Sequence, residues 1–306
     1  MHGDANRVEP ERRRPDRRVL TMWPYKSLLV ALALVVAASL AFLYGASSWA
    51  GKADTLRMRL EEAREPVQLS RYEERELTGL PAPVQRYFRT ALTPGQPMIL
   101  STRFRHRGDF NMGDTKPNWK PFRSSQFVLM RRPGFVWEAR IAVWPGLHVH
   151  VHDAYVAGVG VLHASLLGLF NLIDLRGSPA MAHGELLRYL AEAPWYPTAL
   201  LPSQGVRWEA IDDRSARAHL SDGDVRASLV FSFGDDGLIE SSRADARERT
   251  VAGASVALPW GGRYWNVTTR QGMRIPQDGE VAWWLADGPY PYWRGRIVEI
   301  NHELAP

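Results

Sequence analysis

Three histidines alternate with valines in Leu147-His148-Val149-His150-Val151-His152-Asp153. On an extended chain successive side chains point to opposite faces, so His148, His150 and His152 project together. Three imidazoles are the protein half of a catalytic zinc site, whose fourth position stays open. The same spacing also describes the polar face of an amphipathic strand whose Val149 and Val151 face the core. Asp153, Asp174, Glu185 and Glu280 add carboxylates, but they are scattered, and none can be paired as general acid and base from sequence. A Gly-x-Ser-x-Gly elbow, a phosphate-cradling glycine loop, a His-Glu-x-x-His helix and a dinucleotide fingerprint are absent. No catalytic residue is assigned and no cofactor is expected.

Aromatic residues offer a second kind of chemistry, apolar recognition. The chain has 12 tryptophans. Indole is large, seldom wholly buried, and carries an N–H that seeks an acceptor, so enrichment suits either thick core packing or a ligand cleft. Three clusters place aromatics beside Pro or Gly: Trp195-Tyr196-Pro197, Pro259-Trp260-Gly261-Gly262 and Pro289-Tyr290-Pro291-Tyr292-Trp293. Each reads as a loop at the end of an element, where binding groups are commonly carried. Trp195, Tyr196, Trp260, Tyr264 and Trp293 are thus candidate ligand-binding residues. Leu167 and Phe170 join them from the apolar run 164–173, which is too short to span a membrane. That run is expected inside the concavity of a sheet or over a greasy cavity.

These side chains need elements to hold them. Helix capping is clear at Ser178-Pro179, ahead of a run ending at Pro194. At 100° per residue Leu186, Leu187, Leu190 and Ala193 share one face, leaving Glu185, Arg188 and Glu192 on the other. That charged face either meets solvent or turns Glu185 and Arg188 toward a cavity mouth, which makes both candidate ligand contacts. A shorter helix is expected over 81–91, closed by Pro94-Gly95. Elsewhere apolar residues alternate at period two, over 99–110, 124–131, 134–143, 225–233, 238–246, 263–270, 280–286 and 293–300. Turn residues such as Asp235-Asp236-Gly237 separate them, which predicts an antiparallel meander rather than helical crossovers. The fold class is α+β with sheet dominant.

Residues 27–46 form an uncharged run, and about 20 residues at ~1.5 Å rise cover a hydrocarbon core of ~30 Å. Trp23, Tyr25, Tyr44 and Trp49 flank it, as interfacial rings do. Arg7, Arg12, Arg13, Arg14, Arg17 and Arg18 crowd the preceding tail and read as a topology signal rather than a nucleic-acid site. A cleaved signal peptide competes, because Ser48-Trp49-Ala50 resembles a cleavage site, but the apolar run exceeds the usual length for one. Residues 52–64 read as a short polar helix ending at Pro66. The expected organisation is a basic cytoplasmic tail (1–26), a transmembrane anchor (27–48), a helical stalk (49–76) and an extracytoplasmic β-rich domain (77–306). With 306 residues, a net charge of +5 and no cysteine, disulfide scaffolding, thiolate metal sites and a cysteine nucleophile are excluded.

From Leu77 onward the chain resembles a bacterial family of unknown function. The resemblance rests on Leu80-Pro81-Ala82-Pro83-Val84-Gln85-Arg86-Tyr87, Gly134-Phe135-Val136-Trp137, Asp153-Ala154-Tyr155-Val156 and residues 184–192. It continues through Trp195-Tyr196-Pro197-Thr198, Val206-Arg207-Trp208-Glu209-Ala210 and Pro291-Tyr292-Trp293-Arg294-Gly295. It implies no activity and transfers no catalytic residue. More loosely, Tyr264, the Gly272 turn and Met273-Arg274-Ile275-Pro276 resemble a passage of periplasmic lipoprotein carriers. That resemblance implies a curved antiparallel half-barrel wrapped around short helices and a greasy cavity, and residues 156–202 depart from it.

The function expected is a membrane-tethered envelope module that binds lipid or another apolar ligand in the half-barrel, with the bilayer as partner through the N-terminal helix. Two alternatives stand beside it: an interaction scaffold for an unknown protein partner, and an envelope enzyme using a metal or carboxylates.

Overall fold

The structure is a computed structural model that describes residues 23–114, 116–251 and 254–306; the basic tail expected at 1–26 lies almost wholly outside them. The chain divides into two units, residues 1–44 and 45–306. Helix α1 (Trp23–Glu62) is continuous. In its first part Tyr25, Leu28, Leu29, Leu32, Leu40 and Tyr44 are all exposed. Among the described residues it is the one helix long and apolar enough to cross a membrane.

The second unit is built on one sheet of 13 antiparallel strands in the order β6-β5-β4-β3-β2-β1-β13-β12-β11-β10-β9-β8-β7. Its first arm comprises β1 (Ile99–Asn111), β2 (Trp119–Leu129), β3 (Gly134–Trp144), β4 (Leu147–Val156), β5 (Val159–Leu166) and β6 (Phe170–Arg176). The second comprises β7 (Arg207–Ala210), β8 (Ser215–Asp222), β9 (Val225–Phe233), β10 (Ile239–Val251), β11 (Ala254–Arg270), β12 (Met273–Leu285) and β13 (Gly288–Leu304). Each arm is a meander, and β1 pairing with β13 joins them. The expected meander is present.

This topology dictates what fills the concave face. Strands β6 and β7 are consecutive in sequence yet form the two outer edges of the sheet. The segment between them must therefore travel from one edge to the other. It does so as α3 (Pro179–Glu192) followed by three short 3-10 turns. Helix α3 touches β3, β4 and β5 on one arm and β9 and β10 on the other. A flat sheet with strands ~4.8 Å apart would hold β5 and β9 some ~40 Å from each other, so the sheet is curled around the helix. Across the mouth, Tyr155 Oη donates to Asp222 Oδ2 at 2.9 Å, and Arg132 also pairs with Asp222.

Local sequence explains the elements. Ser178 Oγ accepts from Met181 N–H at 3.1 Å and starts α3. Helix α2 (Ala82–Ala91) buries Val84, Tyr87, Phe88 and Ala91. Two aromatic clusters read as loops lie inside strands instead. Pro259 falls where β10 and β11 shift register, and Pro291 falls at the shift between β12 and β13. A proline is tolerated within a sheet at such irregularities, because no ladder hydrogen bond is lost there.

The polar helix expected after the apolar run is the continuation of α1. Its Trp49, Ala53 and Leu60 are buried, and Leu56 and Leu60 pack on Phe127, Leu129, Val136, Ala154 and Val156 on the outer face of the sheet.

Candidate functional site

The interior expected to bind a ligand is packed. Trp195, Tyr196 and Trp260 are 3%, 0% and 2% exposed. Trp195 lies against Phe104, His106, Tyr264 and Trp293. Tyr196 Oη donates to the Tyr189 carbonyl at 2.6 Å, Tyr264 Oη to the Ala191 carbonyl at 2.6 Å, and Trp260 Nε1–H to Tyr292 Oη at 2.9 Å. These hydroxyl and indole groups are paired, whereas Trp195 Nε1 is buried without a partner among the described residues, and the aromatics form part of the core between α3, its following turns and the second arm. Two clefts of about 240 and 310 Å³ are lined by residues of β11–β13, and by α1 with Arg103 and Phe127. None of the expected aromatics lines either.

The middle of α3 is enclosed, because it packs on strands of both arms. Glu185 is 2% exposed and accepts from Arg247 Nη2 at 2.8 Å. Arg188 donates to Glu192 Oε1 at 2.8 Å, pairs with Asp153, and stacks over Phe135 and Trp137. Burial, reinforced by the neighbouring Asp153, pushes the Glu185 carboxyl up to about 8. Glu185 Oε2 and Asp153 Oδ1 have no donor among the described residues, and a proton held by Glu185 serves both carboxyl groups. The expectation of a solvated charged face or a cavity mouth is corrected to a buried ionic network.

His148, His150 and His152 do share one face of β4, on the outer side of the sheet. Helix α1 covers two of them there: Trp49 lies against His150, His152 and, from β5, His163, while His148 is half-buried. Burial lowers His150 to about 4 and His152 to about 3. Among the described residues no group of three or more His, Cys, Asp or Glu side chains is arranged to hold a metal ion.

The run 164–173 is buried at its start, at Ala164 and Ser165, but its turn is half-buried and its continuation from Phe170 is exposed, so the expected buried segment is corrected to an edge hairpin. Leu167 and Gly168 take positive φ and turn the chain between β5 and β6. Leu167 O and the Leu169 side chain crowd Gly45 so closely that a Cβ there would meet them at 2.7 and 2.8 Å. Gly45 is the next-to-last residue of the apolar run. Phe170, Leu172, Ile173 and Leu175 stand 63%, 55%, 42% and 43% exposed on edge strand β6.

Antiparallel strands put alternate turns on the same rim, so those after β1, β3 and β5 lie together. Each presents an apolar side chain: Met112 is 40%, Trp144 72% and Phe170 63% exposed. The turns after β2 and β4, on the opposite rim, hold Arg131, Arg132 and Pro133, and Ala157 and Gly158. The candidate functional surface is therefore the rim at Gly45. Sequence reasoning found Leu167 and Phe170 but not Trp144 or Met112, whose common rim depends on which strands pair.

Residues 78–302 match the model of DUF6920, a family of unknown function. The chain belongs to that family. The match covers nearly all of the sheet in the second unit, from before α2 to the last turn of β13. No curated protein matches this DUF6920 chain. Among solved structures it is similar to a LolA superfamily protein from Nitrosomonas europaea, at 11% identity and a TM-score of 0.29, covering 83% of this chain and 94% of that one. It is also similar to a beta-barrel-like protein of domain of unknown function DUF1849 from Brucella abortus, at 10% identity and a TM-score of 0.22, covering 67% and 99%.

Proposed function

We propose that this DUF6920 protein is a single-span envelope protein that rests one rim of its β domain on the bilayer and binds lipid there. The supporting observation is the asymmetry of the rims. Met112, Trp144 and Phe170 project from three successive turns of one rim, and the third turn packs on α1 at Gly45, where the apolar run ends. Exposed apolar side chains grouped on one side of a domain mark a membrane or protein contact. Rings such as Trp144 favour the headgroup level. The unpaired backbone of β6 holds the hairpin at the interface, since open sheet edges are excluded from hydrocarbon. In this reading the tail is cytoplasmic and residues 49–306 are extracytoplasmic. Lipid meets the outer rim, and the concave face is structural, because a ligand there would have to displace α3.

The chain has no cysteine, so a single introduced one is a unique label site. The test is electron paramagnetic resonance of the full chain in lipid nanodiscs, with a nitroxide at Phe170→Cys or, on the opposite rim, Asp235→Cys. The Phe170 label should favour relaxation by oxygen over an aqueous nickel chelate, and the Asp235 label the reverse. Two labels with the same aqueous profile would refute the reading.

A second reading has its own observation. Edge strand β6 exposes apolar side chains and an unpaired backbone edge, a template for strand addition by a protein partner. A Phe170 label immobilised without any preference for oxygen would favour that scaffold.

A further inference from the structure

On the outer face of the sheet three arginines stand directly opposite one another on adjacent strands. Arg140 of β3 pairs in register with Arg123 of β2, and Arg123 with Arg107 of β1. All three are exposed. The row continues to Arg296 of β13 on one side and to His150 of β4 on the other, and His150 packs on Trp49 of α1.

Like charges directly opposite across a ladder are destabilising. Elsewhere on this face the sheet avoids that arrangement. Arg105 reaches Glu299 at 3.1 Å, Arg294 reaches Glu280 at 2.6 Å and Arg296 reaches Asp278 at 2.6 Å. Arg107, Arg123 and Arg140 interrupt this pattern: none has an ion-pair or hydrogen-bond partner among the described residues. The nearest carboxylate on β3, Glu138, is taken by Arg57 of α1. Asp109 is two residues along β1 from Arg107, in register with Arg294.

The position of the row is as regular as its composition. Arg107 lies four residues before the end of β1, Arg123 four after the start of β2 and Arg140 four before the end of β3. At ~3.3 Å per residue all three sit about 13 Å in from the rim that carries Met112 and Trp144. Trp144 ends β3 opposite Leu147, beyond a bulge that interrupts the alternation after Ala142, so it stands at the rim past Arg140. An aromatic tip with a cationic band behind it, at uniform depth, matches a lipid interface: ring at the glycerol level, guanidinium groups at the phosphates. Guanidinium also suits phosphate by geometry, with paired N–H donors in one plane.

We infer that Arg107, Arg123 and Arg140 form a binding row for the phosphate headgroups of anionic lipid, which holds the rim that carries Met112 and Trp144 at the bilayer. This rests on the membrane-anchored reading above. Each arginine near an anionic surface raises the docked population about fivefold, and screening by salt weakens the effect.

The test uses the full chain in nanodiscs of phosphatidylcholine alone or mixed with phosphatidylglycerol, with a nitroxide at Ala142→Cys, between Arg140 and Trp144. Anionic lipid should reduce access of the nickel chelate to the label, and added salt should restore it. The triple variant Arg107→Gln, Arg123→Gln, Arg140→Gln should lose the dependence on lipid charge while keeping or raising the melting temperature, and the triple lysine variant should keep most of that dependence. Equal access on neutral and anionic discs, or a triple glutamine variant that still responds, would overturn the row. A chain that fails to enter discs at all would sink the anchoring reading and this inference with it, so the two failures are told apart at the incorporation step.

Discussion

Trp49 lies flat on His152, with ring centroids 3.9 Å apart and ring planes 23° from parallel. One residue comes from the helix that carries the apolar run and the other from the fourth strand of the sheet. Together with Leu56 and Leu60 further along, this contact seats the latter part of α1 on the outer face, so that from Gly45 onward the helix belongs to the same compact unit as the sheet. Trp49 is 5% exposed and also touches His150 and His163. Truncation to alanine should cost about 3–5 kcal/mol, the range for a large buried aromatic. Denaturant unfolding of the full chain in detergent checks this; a loss below about 1 kcal/mol would mean that the rings touch without holding the helix.

The buried histidines make stability fall in acid. Burial lowers His106 and His152 to about 3, and His150 and His302 to about 4. A histidine whose folded pKa lies below its unfolded value of about 6.5 binds more protons when unfolded, so stability is lost as pH falls from there toward the folded value. Each should contribute up to about 1.4 kcal/mol per pH unit in that window. His152→Gln should flatten the slope of unfolding free energy against pH between about pH 6 and pH 4, and an unchanged slope would assign the acid sensitivity elsewhere.

Glu185 should act in the opposite direction. Its carboxyl is raised to about 8 by burial and by Asp153, so its contribution is complete below about pH 4.5 and is lost as pH rises toward 8. The substitution Glu185→Gln keeps an acceptor for Arg247 and leaves no proton to lose. Urea midpoints at about pH 6 and pH 9 should differ less in the variant than in the parent, and an equal difference in both would place the alkaline sensitivity on another group.

Arg188 bridges Asp153 and Glu192 within the core. Arg188→Met leaves two buried carboxylates without their cation, which typically costs about 3–5 kcal/mol. Arg188→Met combined with Asp153→Asn and Glu192→Gln should recover part of that loss. Thermal melts of the single and triple variants decide it, and a triple variant no better than the single would argue against an ionic origin.

The β5–β6 turn depends on glycine at a close approach. Gly168 has a φ of 74°, and a Cβ there would meet the Gly45 carbonyl at 2.6 Å. Gly168→Ala should cost about 1–3 kcal/mol by strain and contact. Hydrogen exchange should rise across residues 165–172, and protection equal to the parent would show that the helix and turn can separate freely.

Local physics was legible from the chain alone. The apolar run, the Ser178 cap, the period-two strands and the Asp235-Asp236-Gly237 turn each follow from forces acting over a few residues, and the α+β class with an antiparallel meander followed from them. Strand lengths were less legible, because Pro259 and Pro291 read as breaks and sit instead at register shifts. The candidate site was legible only in part. Leu167 and Phe170 stood out by composition, but the same composition suggested burial, and only the hairpin's place at the edge of the sheet leaves Phe170 exposed and Leu167 half-buried.

Sequence by itself therefore determined where helices and strands form, which face of each is apolar, and that one helix can span a bilayer. The tertiary structure decided the rest through a single non-local choice, the pairing of β1 with β13. That pairing leaves β6 and β7 as opposite edges, sends α3 through the concavity, buries Glu185 and Arg188, and converts an expected cavity into core. Within the first arm, the register of successive hairpins fixes which turns share a rim and sets Arg107, Arg123 and Arg140 side by side. Contacts between residues far apart in the chain depend on which pairing buries the most surface, and no local pattern encodes that comparison.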